Sequence, residues 1–220
     1  MAERVDNPYL EIWKARQSRL PANAAETARA LIARDKALFA RIKAARNEFT
    51  HKYSYAIPTL DALLTIREFS PLIEIGAGTG YWAWLLRQLN TDIIAYDSNP
   101  PTPESDENRF HVRSACWTEV LQGDERELDN HPHRTLLLCW PPANNPMATQ
   151  TLRRYRGRTF LYVGEPPLAD GFMSSTGDEE FVELLHEQWA VVRTVSLPNW
   201  ELCWDGLFVF RRVLPAGIAL

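Results

Sequence analysis

The chain has 220 residues, 45 % hydrophobic and 24 % charged, close to the average of globular domains, which excludes collagen-like, coiled-coil and disordered classes. Its 24 basic and 28 acidic side chains leave a formal charge of −4, the reverse of the basic excess that marks nucleic-acid-wrapping domains. Three widely spaced cysteines, Cys116, Cys139 and Cys203, form neither a disulfide framework nor a zinc motif. With a charged N-terminus and no apolar run near about 18 residues, they point to a reducing cytoplasm, with no signal peptide and no membrane span.

The pattern predicts a short helix from Pro8 to Leu20 and a longer amphipathic one from Asn23 to Phe49, whose apolar residues (Ala28, Leu31, Ile32, Leu38, Phe39, Ile42, Phe49) fall at helical spacing. Asn23 and Glu26 form a capping-box-like start. A third helix follows from Pro58 to Phe69, and residues 1–52 read as an N-terminal helical cap on a domain spanning 53–220. From Pro71 short apolar runs alternate with helical stretches. Strands are predicted at Leu72–Ile75, Asp92–Tyr96, Thr118–Gln122, Leu136–Trp140, Thr159–Val163, Val191–Leu197 and Leu207–Val213, and helices at Thr79–Leu89, Pro146–Tyr155 and Asp178–Trp189. Such alternation implies a doubly wound, mainly parallel α/β sheet of seven strands covered on both faces. The last two strands lack a helix between them and are expected to pair antiparallel at one edge.

The most informative segment, Leu72 to Trp82, runs from a buried strand through Gly76-Ala77-Gly78-Thr79-Gly80 into a helix. Small residues there let the backbone turn sharply and approach a ligand, while the helix start offers free N–H groups. A dinucleotide fingerprint needs a small residue where Tyr81 stands, which weakens a nicotinamide reading. Asp97 closes the second strand nineteen residues after Gly78 and can accept both hydroxyls of a ribose.

Glu74, the Gly76, Gly78, Gly80 spacing and Asp97 together resemble the class I S-adenosylmethionine-dependent methyltransferases, over about residues 53–213. That resemblance implies a Rossmann-like fold and S-adenosylmethionine as cofactor, held by Glu74, Gly76, Ala77, Gly78 and Gly80, by Asp97 and Ser98 at the ribose, and by Asp124 and Cys139. Asp124, in Leu121-Gln122-Gly123-Asp124, resembles the family's third motif, although its charged surroundings suit a solvated loop as well. Trp117 suits either the adenine face or the core.

On the acceptor side, Cys139-Trp140-Pro141-Pro142-Ala143 keeps the twin prolines of the family's fourth motif, but Trp140 and Ala143 replace the polar and aromatic residues that recognise a base amine. A small molecule is therefore the expected substrate, without nucleic acid or membrane partners. The indole face of Trp140 can meet a sulfonium by a cation–π contact. Tyr53 and Tyr55 offer hydroxyls, and Glu165 at the end of the fifth strand offers a base or an amine anchor; these four are the candidate catalytic residues. His131 and His133 lack metal-site partners, so no metal is expected. The expected reaction is methyl transfer in a closed, aromatic-rich pocket. Two alternatives remain: intramolecular cyclisation of the cofactor with release of methylthioadenosine, as in azetidine-2-carboxylate synthases, and a non-catalytic binding module. The sequence leaves the oligomeric state open.

Overall fold

The computed structural model describes residues 3–17, 36–166, 176–200 and 203–213. Helix α1 spans Pro8–Gln17. Asn7 caps it, its Oδ1 accepting from the Leu10 N–H at 3.1 Å, and Pro8 fits the first helical position because its missing N–H would have no partner there. Helix α2 runs Lys36–Lys52, and the predicted cap at Asn23 and Glu26 with the apolar positions up to Ile32 lies outside the described residues. Helix α3 (Leu60–Arg67) starts at Thr59, whose hydroxyl accepts from the Ala62 N–H.

Seven strands follow: β1 (Leu72–Ile75), β2 (Ile93–Asp97), β3 (Leu121–Gln122), β4 (Thr135–Cys139), β5 (Thr159–Gly164), β6 (Trp189–Ser196) and β7 (Gly206–Arg212). Between them lie α4 (Tyr81–Gln88), a 3₁₀ turn at Glu125–Asn130, α5 (Met147–Arg154) and α6 (Glu179–Gln188). The sheet order is β3-β2-β1-β4-β5-β7-β6. Strands β1 to β5 pair parallel, whereas β7 is antiparallel to both β5 and β6. The expected antiparallel pair is present at one edge, with β7 inserted inside β6. Strand β3 is shorter than predicted, because Thr118 and Val120 pack against Gly80 instead of pairing.

Alternation along the strands divides the core between two faces. Ile73, Ile75, Leu136, Leu138, Phe160 and Phe210 pack with residues of α5 and α6. Leu72, Leu137, Leu161, Val163, Leu207 and Val209 pack with α3, α4 and the N-terminal residues Tyr9, Phe49 and Tyr53. Helix α1 is fastened to this second face by buried polar contacts: Asn7 Nδ2 donates to the Pro58 carbonyl, the Tyr81 hydroxyl donates to Asn7 Oδ1, and Trp200 Nε1 donates to the Tyr9 hydroxyl at 2.8 Å. None of the described helices is long and apolar enough to cross a membrane.

Candidate active site

The C-terminal ends of the parallel strands form the edge where open α/β sheets bind ligands. At the β1–β2 end, the Gly76 and Ala77 N–H groups both donate to the Tyr96 carbonyl, at 2.8 and 2.9 Å, turning the chain sharply out of β1. Gly78 has φ +54°, and a Cβ there would run into the His111 imidazole; only glycine meets both conditions. Asp97, 9 % exposed, accepts from the Gly78 N–H at Oδ2 (2.8 Å) and from the Asn99 N–H at Oδ1 (2.9 Å). Each oxygen keeps a further lone pair, so the carboxylate can still accept two hydroxyl hydrogens. The loop is also pinned from the N-terminal side, since the Thr79 hydroxyl donates to the Tyr53 carbonyl.

Glu74 lies beneath this loop, 1 % exposed, with Oε2 unpartnered among the described residues. Burial drives its pKa up to about 8, with Asp97 adding to the rise and Arg87 opposing it. His111 covers Gly78 from the 98–118 connection; it meets the His51 carbonyl at 3.0 Å through Nδ1, and burial lowers its pKa. The imidazole therefore lies over the loop whose Gly78 N–H Asp97 accepts. Beside it a cleft of about 580 Å³ is lined by Lys52 and residues 113–117.

The β4 end is aromatic and charged. Trp140 has φ +53°, a strained backbone for a bulky side chain, held by its N–H donating to the Val163 carbonyl at 2.7 Å. Its Nε1 donates to Asp205 Oδ1 at 2.7 Å, and its ring stacks on Tyr55, with centroids 4.7 Å apart at 24°. Asp205 precedes β7 and is 5 % exposed; Asn199 Oδ1 fixes it by accepting from its backbone N–H at 2.6 Å. Burial raises the Asp205 pKa to about 6, against the opposing Trp140 hydrogen bond and Arg46 charge. Burial likewise raises the Tyr55 hydroxyl, opposed by Arg46. The Arg46 guanidinium, from α2, stands 4.7 Å from the Trp140 ring centroid. Glu165, after β5, is 7 % exposed and close enough to act on Asp205; its N–H donates to Thr176 Oγ1 at 3.0 Å.

The expected residues separate accordingly. Tyr55, Trp140 and Glu165 gather at the β4 end, whereas the Tyr53 ring is 3 % exposed in a stack with Tyr9 and Trp117, at 4.9 and 5.2 Å. Tyr53 thus offers its carbonyl to the glycine loop and keeps its hydroxyl out of the β4 cluster. Trp117 packs in that same aromatic group. Asp124 is committed elsewhere: both oxygens accept from Arg126, which holds its pKa down at about 2, and it caps the 3₁₀ turn. Ser98 is exposed at the end of β2. Cys139 lies between the two ends, its thiol pushed well above the usual range by burial, then by Glu74 and Asp205. His131 meets the Tyr96 hydroxyl at 3.2 Å. Of the basic residues at the end of α5, Arg153 pairs with Glu180 and Arg154 with Asp129. Sequence reasoning missed Arg46, His111 and Asp205, none of which belongs to a local pattern.

The sheet order and the single antiparallel strand decide the fold. It is that of the class I S-adenosylmethionine-dependent methyltransferases. Among solved structures the chain is similar to a 1,6-didemethyltoxoflavin-N1-methyltransferase from Burkholderia thailandensis, with 17 % identity, TM-score 0.48, and 89 % of this chain and 92 % of that one covered. It is also similar to magnesium protoporphyrin IX methyltransferase from Synechocystis PCC 6803 (10 %, TM-score 0.40, 70 % and 80 % covered) and to an m1A22 tRNA methyltransferase from B. subtilis (12 %, TM-score 0.37, 74 % and 72 % covered). No protein-family model and no curated protein matches the sequence.

Proposed function

We propose that the chain is an S-adenosylmethionine-dependent methyltransferase acting on a small molecule. The observation that carries this is the closure of Asp97 on the Gly78 N–H at 2.8 Å, which holds a carboxylate with spare lone pairs at the mouth of a left-handed glycine turn. The residues fit the cofactor. The left-handed turn from Gly76 to Gly80 sets Asp97 at the end of β2 with lone pairs free to accept the ribose hydroxyls. When bound, S-adenosylmethionine supplies a methyl group activated by its sulfonium. Trp140 and Tyr55 stack on one another and present aromatic surface that excludes water from the reacting groups. Positioning of the acceptor against that surface is the protein's main contribution, and orientation of this kind supplies roughly 7–11 kcal/mol of a bimolecular barrier. Asp205, whose pKa burial raises to about 6, is placed to take the proton that an acceptor loses.

Two measurements test this reading. Isothermal titration with S-adenosylhomocysteine should show saturable binding, weakened at least tenfold, or about 1.4 kcal/mol, in Asp97→Ala; unchanged affinity removes Asp97 from the ribose. Mass spectrometry after incubation with S-adenosylmethionine alone should find the cofactor intact. Methylthioadenosine well above the enzyme-free control would replace methyl transfer by intramolecular or eliminative chemistry.

A further inference from the structure

Arg46 reaches the β4 end from α2, and its Nε and Nη2 are buried with no hydrogen-bond partner among the described residues. Its guanidinium carbon stands 4.7 Å from the Trp140 ring centroid and 5.7 Å from that of Tyr55, while the two rings are 4.7 Å apart. The three groups therefore form one compact triangle. Neither Asp205 nor Glu165 forms an ion pair with Arg46 among the described contacts. A guanidinium carries donors only and keeps its charge, so whatever completes this group must bring lone pairs. Nε and Nη2 share one edge of the guanidinium plane, the fork that matches two coplanar oxygens. A cationic acceptor would oppose the charge and leave both donors unpaired. Asp205 turns Oδ1 to Trp140 Nε1 rather than to Arg46.

We infer that Arg46 is the acceptor-specificity residue and that it anchors the carboxylate of a small, flat acceptor lying against Tyr55 and Trp140. This rests on the methyltransferase reading for the word acceptor, and on Arg46 alone for the carboxylate. The same chemistry is also present at the amino-acid end of the cofactor, and the test separates the two sources.

Thermal unfolding of the full chain would be followed with benzoate and with its neutral isostere benzamide, each with and without S-adenosylhomocysteine. Benzoate should raise the melting temperature saturably and benzamide should not. Arg46→Met should lose the benzoate response, and Arg46→Lys, which keeps the charge but not the fork, should need at least tenfold more benzoate. S-adenosylhomocysteine affinity should stay within twofold in both variants. A benzoate response that is absent from the wild type, survives Arg46→Met or is matched by benzamide overturns the inference. A tenfold loss of S-adenosylhomocysteine affinity in Arg46→Met assigns the carboxylate to the cofactor and overturns the acceptor role. Failure of the wild type to bind S-adenosylhomocysteine would defeat the methyltransferase reading, and the benzoate arms without it would still decide the carboxylate site.

Discussion

At the β1–β2 end of the ligand edge, the groups that matter lie between Glu74 and Asp97 and are held by backbone geometry: a left-handed glycine and two N–H groups on one carboxylate. At the β4 end, Trp140 meets Tyr55, Arg46 and Asp205, which come from three other segments and are held by side chains. The first end has no room for added side chains on its glycines, over which Met147, His111 and Val120 pack; the second consists of side chains. Damage at the first should therefore register in folding and cofactor affinity together, and damage at the second in turnover while affinity persists.

The largest effect expected at the first end is electrostatic. Glu74 has a folded pKa of about 8 against 4.5 for the unfolded chain, so the native state holds a proton that the unfolded state has released between those values. The Glu74 contribution to stability should be fullest below pH about 4.5, fall as pH rises towards about 8 and level off above, a loss of about 5 kcal/mol in the full-burial limit. Glu74→Gln should flatten that limb in urea melts across pH; an unaltered slope would show that another group causes it. Gly78→Val comes next, because φ +54° and the His111 ring both oppose a side chain. It should lose about 2–4 kcal/mol of stability and detectable S-adenosylhomocysteine binding, from left-handed strain plus overpacking.

At the second end, Trp140→Phe keeps a ring on Tyr55 and removes the hydrogen bond to Asp205. It should slow turnover by about tenfold, consistent with roughly 1.5–3 kcal/mol for a hydrogen bond to a charged group, while titration finds cofactor affinity within twofold. Equal losses in both would merge the two ends into one unit. The smallest effect is expected from Asp124→Ala, which removes a cap worth about 1 kcal/mol and should leave S-adenosylhomocysteine affinity unchanged. A tenfold weaker affinity would return Asp124 to the adenine.

The same contrast explains what could be read from the sequence. The glycine turn and Asp97 are legible because backbone conformation restricts residue choice at fixed spacing, and strand periodicity gives the layers. Asp124 matched a motif, but Arg126, two residues on, captures its carboxylate. Tyr53 and Tyr55 are equivalent in sequence, yet the chain bends between them after α2, and the stack with Tyr9 takes the first. Arg46 is one cation in a helix that also carries Arg41 and Lys43, and Asp205 is a single acid before the last strand. Their meeting depends on sheet order and on how α2 crosses the edge, which no local pattern encodes.

The Trp200 indole and the Tyr9 hydroxyl are joined across 191 residues, and Tyr9 is fully buried against core side chains. Contacts of such separation close late, because the whole intervening loop must first be ordered. During synthesis α1 therefore waits for a loop made 191 residues later before it can dock. Until then its apolar face and the second face of the sheet stay open to chaperones or to another nascent chain, so docking of α1 should be governed by the arrival of the β6–β7 pair and the loop that joins it.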